Sequence, residues 1–154
     1  MPQNLKNKRQ HRLKILSNQS RVIDLLLSSV WFESHIGEEW REIKDTDSKY
    51  FISNKGRVFS LCMDGYLILQ PFVCGEGYYC VSIKVNGVWK TRRINVLVAE
   101  YFLENPDNKT IVHHKNLKKF DNDVSNLIYM TPQEHRAEHA RLERIKNEPL
   151  LSAI

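Results

Sequence analysis

Apolar side chains alternate with polar ones through the middle of the chain, which is the pattern of half-buried β-strands. The strand-like segments are separated by turn-forming residues and cover residues 49–54, 57–62, 66–72, 77–85 and 88–94. Asn86-Gly87 is the strongest turn signal, because both residue types tolerate the positive φ of a two-residue hairpin turn. We therefore predict an antiparallel β meander in this region.

Two later segments change to the spacing of an α-helix. Residues 94–102 can bury one helical face, and the segment "NPDN" that follows ends the helix. The second helix is predicted to begin with Thr131 as its N-cap, Pro132 at the first helical position and Glu134 placed for a capping box. This helix start is the clearest element boundary in the sequence.

Between the two helices, residues 110–114 and 127–130 predict short strands joined by a polar loop. The predicted fold class is α+β: an antiparallel β meander, a linking helix and a C-terminal ββα unit. At the other end, residues 1–20 predict a flexible basic arm and Ser20–Phe32 an amphipathic helix. The arm and helix could hold DNA phosphates, pack on a partner, or be a solvated extension with one docked helix, and these interpretations stay open.

Composition places the chain among soluble globular proteins. It has 154 residues, of which 42% are hydrophobic and 27% charged, and no apolar run is long enough to span a bilayer. No secretory signal is recognisable, so we expect a cytoplasmic protein without a membrane partner. The three cysteines are odd in number and loosely spaced, so we expect strand residues rather than a disulfide framework or a four-cysteine zinc site: Cys62, Cys74 and Cys80.

The positive charge is local rather than global. The net charge is +5, but residues 1–23 carry six basic residues and no acid, which leaves 17 basic against 18 acidic residues in the remainder. In that remainder the basic residues form two groups, Lys84, Lys90, Arg92 and Arg93, and then Lys115, Lys118 and Lys119. Charge alone therefore gives a modest indication of a polyanionic partner.

Four of the six histidines fall within residues 113–139. His135 and His139 are four apart on a predicted helix, so both can bind one metal ion from the same face. His113 and His114 are neighbours on a predicted strand and diverge, so one can ligate while the other remains free as a base. Three protein ligands would leave coordination positions open, as in a catalytic site.

Two other interpretations of the histidines stay open at this point. Each histidine taken singly is more often a surface or core residue than a ligand. A closed structural zinc site would need a fourth ligand, and Glu138 is the candidate for it, although Glu138 lies off the line that joins His135 to His139. The joint spacing of the four histidines favours the catalytic interpretation.

These residues resemble a known family. The segments "VHHKN", "DNDVSNL" and "TPQEHRAEH" are similar to the HNH, or ββα-metal, nuclease motif. Upstream, "EEWREI" and "YFISNKGRVFSL" resemble the short NUMOD4 element that precedes HNH motifs in phage and intron-encoded homing endonucleases, and "RRINVLVAEYFLENPDN" is similar to their linking helix. The resemblance covers about residues 39–145.

The resemblance implies a role for each matching residue. It implies His113, His135 and His139 as metal ligands and His114 as the general base. It implies that Asn126 fixes the loop and orients the base through a hydrogen bond. Three histidines favour a transition metal such as Zn²⁺ in affinity, whereas Mg²⁺ or Mn²⁺ is expected to support turnover.

The expected function is a metal-dependent endonuclease that nicks double-stranded DNA and leaves 5′-phosphate and 3′-hydroxyl ends. The basic residues expected to hold phosphates are Arg92, Arg93, Lys115, Lys118 and Lys119. The alternatives are a catalytically silent DNA-binding protein and a non-specific, toxin-like DNase, the latter suggested by the closing "TPQEHRAEH". The resemblance is to endonucleases of the homing type, but those relatives usually carry a further DNA-reading module, whereas 15 residues follow His139, so the resemblance by itself does not imply site-specific homing.

The expected organisation has four parts. Residues 1–37 form the basic arm and helix, 38–72 the NUMOD4-like β element, 73–147 the HNH nuclease domain and 148–154 a tail. We expect a monomer or weak dimer in a phage-infected or bacterial host cell.

Overall fold

The computed structural model describes residues 37–62 and 65–147, without the side chains of residues 62, 65 and 66. The predicted basic arm, the helix at Ser20–Phe32 and the tail at 148–154 lie outside these residues. The described chain folds as nine strands and two α-helices, in the order seven strands, helix, two strands, helix. The predicted α+β class is thus confirmed.

The first sheet is a four-stranded antiparallel meander in the order β1-β2-β3-β4. Its strands are β1 (Trp40–Glu42), β2 (Tyr50–Ser53), β3 (Val58–Cys62) and β4 (Gly65–Ile68). All four residues of β2 are buried, because this strand is central and covered on both faces. Just before β1, the side chain of Glu38 is fully buried and accepts two hydrogen bonds from the guanidinium of Arg57.

The second sheet is a three-stranded meander of β5 (Phe72–Cys74), β6 (Tyr78–Val85) and β7 (Val88–Arg93). Asn86 and Gly87 join β6 to β7 with φ values of 49° and 77°, which confirms the predicted hairpin turn. The segment 66–72 predicted as one strand is instead divided between β4 and β5. Pro71 lies at the break, where its missing N–H cannot join a strand ladder.

The expectation of unpaired cysteines was wrong for two of the three. Cys74 and Cys80 form a disulfide that links β5 to β6, with Cα atoms 5.9 Å apart. Both residues lie on strands as expected, and the tight turn at Gly75–Gly77 brings them within bridging distance. The side chain of Cys62 is outside the described atoms.

One hydrophobic core joins both sheets to helix α1 (Ile94–Phe102). Leu97 and Val98 on this helix are fully buried, as their helical spacing predicts, while Tyr101 and Phe102 pack at the edge of the core. The first sheet contributes Ile52 to the same core and the C-terminal unit contributes Leu127. The upstream sheet and the C-terminal unit therefore share a single interior.

The C-terminal unit is a β-hairpin followed by a helix. Strand β8 (Ile111–His114) pairs with β9 (Leu127–Met130), and helix α2 covers Pro132–Asn147. Helix α2 has no buried residue, so apolar burial contributes little to holding it in place. Among the described residues, no helix is long and apolar enough to cross a membrane.

Candidate active site

Three imidazole rings converge where strand β8 meets helix α2. His113 comes from β8, and His135 and His139 come from successive turns of α2. One ring nitrogen from each residue lies within 4.8 Å of the other two, which is close enough for a single metal ion. The Nε2 atoms of His135 and His139 are 3.2 Å apart. The structure thus brings together the three residues that the sequence singles out as ligands.

The start of helix α2 fixes where its two histidines point. The Thr131 hydroxyl accepts a hydrogen bond from the Glu134 backbone N–H at 3.2 Å, and the Glu134 carboxylate accepts one from the Thr131 N–H at 2.7 Å. This reciprocal pair is the predicted capping box. Glu134 also forms an ion pair with Lys109, which precedes β8. The helix is therefore anchored to the hairpin one residue before His135.

Burial and the neighbouring imidazoles favour the neutral form of His113. His113 is 6% exposed, and its pKa is lowered first by burial and then by the nearby imidazoles of His135 and His139. A neutral imidazole has a lone pair available for a metal ion. The chemistry of this donor set fits a divalent transition metal better than a hard cation that prefers oxygen ligands.

Within the described part of the chain, the cluster of possible metal ligands consists of the three histidines and does not include Glu138. Its carboxylate accepts two hydrogen bonds from Arg141, at 2.8 and 2.9 Å, and that contact lowers its pKa. The carboxylate is thus paired with a guanidinium about one turn further along the same helix. A closed structural zinc site with Glu138 as fourth ligand would require this ion pair to break.

His114 follows His113 on β8 but faces a different environment. It is 4% exposed, and its Nε2 lies 3.1 Å from Oδ1 of Asn122. The ring of Tyr78 lies 6.0 Å from the imidazole, centroid to centroid. His114 is therefore a separate imidazole beside the cluster, as the divergence of neighbours on a strand predicts.

Asn126 ties together the loop between β8 and β9. Its side-chain amide donates to Asn116 Oδ1 at 2.9 Å and to the carbonyl of Asp121 at 2.8 Å, while its Oδ1 accepts from the N–H of Asn116 at 3.0 Å. The sequence interpretation needs one correction here. The side-chain oxygen that faces Nε2 of His114 belongs to Asn122, because the loop turns this residue, and not Asn126, towards the imidazole.

Sequence reasoning did not single out Asn122. Its amide nitrogen donates to the carbonyl of Phe120 at 3.3 Å, which leaves Oδ1 directed at the imidazole of His114. The side chain is 6% exposed, which is unusual for asparagine. Its polar neighbours "DNDVSN" give no signal that one of two asparagines four residues apart would be buried.

The basic residues chosen from the sequence separate into two groups. Arg93 and Lys119 lie against the same ring of Tyr78, each with its cationic centre 4.7 Å from the ring centroid, and both are held by Glu76. Because the ring of Tyr78 also lies 6.0 Å from that of His114, both cations are in the neighbourhood of His114. The others make different contacts: Arg92 pairs with Glu100, Lys115 donates to the carbonyl of Ser125, and Lys118 is exposed.

The sequence of the first sheet and of most of the second matches a known motif. Residues 38–84 match the family model described as the NUMOD4 motif. The chain is also similar to curated proteins. It is 36% identical over 97 residues to an uncharacterized HNH endonuclease, L245, of Acanthamoeba polyphaga mimivirus, covering 63% of this chain and 29% of that protein. It is 32% identical over 93 residues to DNA endonuclease I-HmuI of Bacillus phage SP01, covering 60% and 52%.

A solved structure described as DNA binding and cleavage by the HNH homing endonuclease I-HmuI has the same fold. The TM-score is 0.59 at 30% sequence identity, covering 68% of this chain and 59% of that one. The resemblance to HNH endonucleases with an upstream NUMOD4 element is thereby confirmed. The chain spans about half, or less, of the length of the curated relatives that it matches.

Proposed function

We propose that this chain is a metal-dependent HNH endonuclease that hydrolyses phosphodiester bonds and nicks double-stranded DNA. The observation that carries the proposal is the geometry of four histidines: three meet within 4.8 Å and the fourth, His114, is held separately by Asn122. A structural zinc site would not require a fourth imidazole that is held apart from the metal ligands. The similarity to proteins named as HNH endonucleases supports the same conclusion.

His113, His135 and His139 would hold one divalent ion. That ion would neutralise charge on the scissile phosphate and stabilise the departing 3′ oxygen. Three imidazoles favour Zn²⁺ in affinity, and we propose Mg²⁺ or Mn²⁺ as the ions that support turnover. The lowered pKa of His113 fits such a site, because a ligand that is already neutral has no proton to lose on binding.

His114 would act as the general base. Imidazole is the side chain best suited to accept a proton near neutral pH. It would take the proton from a water molecule as the water oxygen bonds to phosphorus and the bond from phosphorus to the 3′ oxygen breaks. The products would be 5′-phosphate and 3′-hydroxyl ends. Asn126 would keep the surrounding loop in place.

Arg93 and Lys119 would hold the phosphates next to the scissile one. Both lie over the ring of Tyr78, which is near His114, and their charges could contact the DNA backbone without reading its sequence. The other phosphate contacts would come from basic residues that do not lie over Tyr78: Arg92, Lys115 and Lys118. The partner is double-stranded DNA, bound by a monomer or weak dimer in the cytoplasm of a bacterial or phage-infected cell.

A plasmid assay tests the proposal. The chain is incubated with supercoiled plasmid and Mg²⁺, Mn²⁺ or Zn²⁺, with and without a chelator, and nicked circles are measured. We expect nicking that depends on metal and that is lost in His135→Ala but kept in Gln133→Ala, an exposed neighbour on the same helix. A gel shift without nicking under every metal would instead indicate a silent DNA-binding protein. Cleavage everywhere on a long phage DNA would indicate the toxin-like alternative.

A further inference from the structure

The turn between β2 and β3, at residues 54–56 of the NUMOD4 motif, lies directly against the loop of the HNH unit. Its residues meet the loop in antiparallel order. The Asn54 carbonyl accepts a hydrogen bond from the N–H of Val124 at 2.8 Å, and Lys55 Nζ lies 2.7 Å from Asp123 Oδ2. The third turn residue, Gly56, contacts Asn122. Three successive turn residues thus contact three successive loop residues.

Gly56 makes the closest of these contacts. A Cβ atom built on Gly56 would lie 2.6 Å from the Cβ of Asn122 and 3.2 Å from its carbonyl oxygen. Both distances are shorter than ordinary van der Waals contact, so even a methyl group would displace the loop by most of an ångström. The φ of +78° at Gly56 adds a second requirement for glycine.

The turn itself is firmly held. The fully buried hydroxyl of Ser53 accepts hydrogen bonds from the N–H groups of Lys55 and Arg57 at 3.2 and 3.0 Å. Asn54 uses its side chain to bond the backbone of Gly37 and Glu39. The turn can therefore act as a rigid support for the loop against it.

The loop residue that the turn supports is the one that contacts the proposed base. Asn122 Oδ1 lies 3.1 Å from Nε2 of His114, and the bond from Asn122 Nδ2 to the Phe120 carbonyl fixes which end of the amide faces the ring. A carbonyl oxygen can only accept, so Nε2 must carry the proton. The lone pair then lies on Nδ1, which under the proposed function is the nitrogen that would accept the proton from water.

We propose that the NUMOD4 turn at residues 54–56 is a positioning element for the general base, acting through Asn122. The turn sets the position of Asn122, and Asn122 sets the ring orientation and tautomer of His114. The upstream motif then contributes to catalysis as well as to the fold. This inference rests on the proposed function, because it assigns a supporting part to the same base.

Two glycine substitutions separate this role from general stability. Gly56→Ala introduces the methyl group that meets Asn122, whereas Gly87→Ala introduces one at nearly the same φ, +77°, with nothing within 4 Å. Both variants carry the strain of an alanine at positive φ. We expect kcat for plasmid nicking to fall by about a hundredfold in Gly56→Ala and to stay near wild type in Gly87→Ala. KM and metal affinity should be unchanged in both, since neither change touches the histidine cluster.

Substitutions of Asn122 test the second half of the path. Asn122→Leu removes the acceptor and keeps the volume, so kcat should fall as in Gly56→Ala. Asn122→Asp keeps an acceptor oxygen and should retain most of the wild-type kcat. In the double variant of Gly56→Ala with Asn122→Leu the losses should not add, because both act through one contact. Additive losses would overturn the proposal.

A spectroscopic measurement keeps this inference separate from the proposed activity. Long-range ¹H–¹⁵N correlation spectra report which nitrogen of His114 carries the proton, whether or not the protein cleaves DNA. We expect Nε2–H in the wild type and in Gly87→Ala, and loss of that preference in Gly56→Ala and Asn122→Leu. An unchanged tautomer in Gly56→Ala, with kcat equal to that of Gly87→Ala, would show that the turn serves packing alone. A wild-type protein that shows the expected tautomers but no cleavage would support the positioning path and refute the activity.

Discussion

Metal binding should stabilise the fold, because the three histidines connect two elements that otherwise share little buried surface. His113 lies on β8, whereas His135 and His139 lie on α2, which has no buried residue. An ion bound by all three would fasten the helix to the hairpin. A ligand that binds only the folded state stabilises it by RT ln(1 + [L]/Kd), which is about 2.7 kcal/mol at one hundred times Kd.

This gain is large enough to measure by thermal unfolding. For a domain of this size, 1 kcal/mol shifts Tm by about 3–5 °C, so saturating Zn²⁺ should raise Tm by about 8–13 °C. His139→Ala removes one of three ligands. If that weakens the affinity a hundredfold, the same Zn²⁺ concentration only equals Kd, and the gain falls to about 0.4 kcal/mol, or about 2 °C. The apo variant should unfold near the wild-type Tm, because His139 is exposed.

Controls on other residues make the assay decisive. Gln133→Ala changes an exposed residue on the same helix and should keep the full Zn²⁺ shift. A variant with both His11→Ala and His35→Ala removes the histidines that lie outside the described residues and should also keep it. If His139→Ala shows the same Zn²⁺ shift as the wild type, the three rings do not bind one ion and the reasoning is refuted.

Three further predictions concern charge and capping. Arg93→Ala and Lys119→Ala should each weaken DNA binding uniformly across sequences and lower the slope of log K against log salt by about 1, measured by fluorescence anisotropy; an unchanged slope would remove that residue from the interface. Burial raises the pKa of Asp123, but hydrogen bonds from Lys55 and Ser125 outweigh it and hold that pKa below its ordinary value. The resulting stability is full above the ordinary carboxyl pKa and is lost as pH falls through the lowered one. The stability deficit of Lys55→Met in urea unfolding should therefore be present near neutral pH and shrink as the pH falls below the ordinary carboxyl pKa; a deficit independent of pH would contradict this. Thr131→Ala should cost about 1 kcal/mol through loss of the helix cap, with a correspondingly lower urea midpoint; no change would show that the capping box contributes nothing.

Local signals in the sequence predicted local structure well. Asn86-Gly87 gave the hairpin turn, and the spacing of Thr131 and Glu134 gave the capping box, because each depends on residues at most three positions apart. The convergence of His113 with the helix pair followed from the same logic. Its components are a strand residue and an i, i+4 pair, joined by a short hairpin.

Features that depend on the path of the chain could not be predicted in this way. The pairing of Cys74 with Cys80 requires a turn in which Glu76 adopts a positive φ of 66°, which nothing in the residue type indicates. The choice of Asn122 rather than Asn126 as the partner of His114 depends on how the loop folds. The contact between Lys55 and Asp123 joins residues 68 positions apart, and only the shared core brings them together.

The most direct test of catalysis is a single-turnover comparison of the wild type with His114→Ala, both saturated with metal. We predict that the variant binds the metal and DNA as the wild type does, while the nicking rate falls by a factor of about 10²–10⁴. The nicks made by the wild type should carry 5′-phosphate and 3′-hydroxyl ends and disappear with a chelator. A variant that binds metal normally and nicks at the wild-type rate would contradict the account.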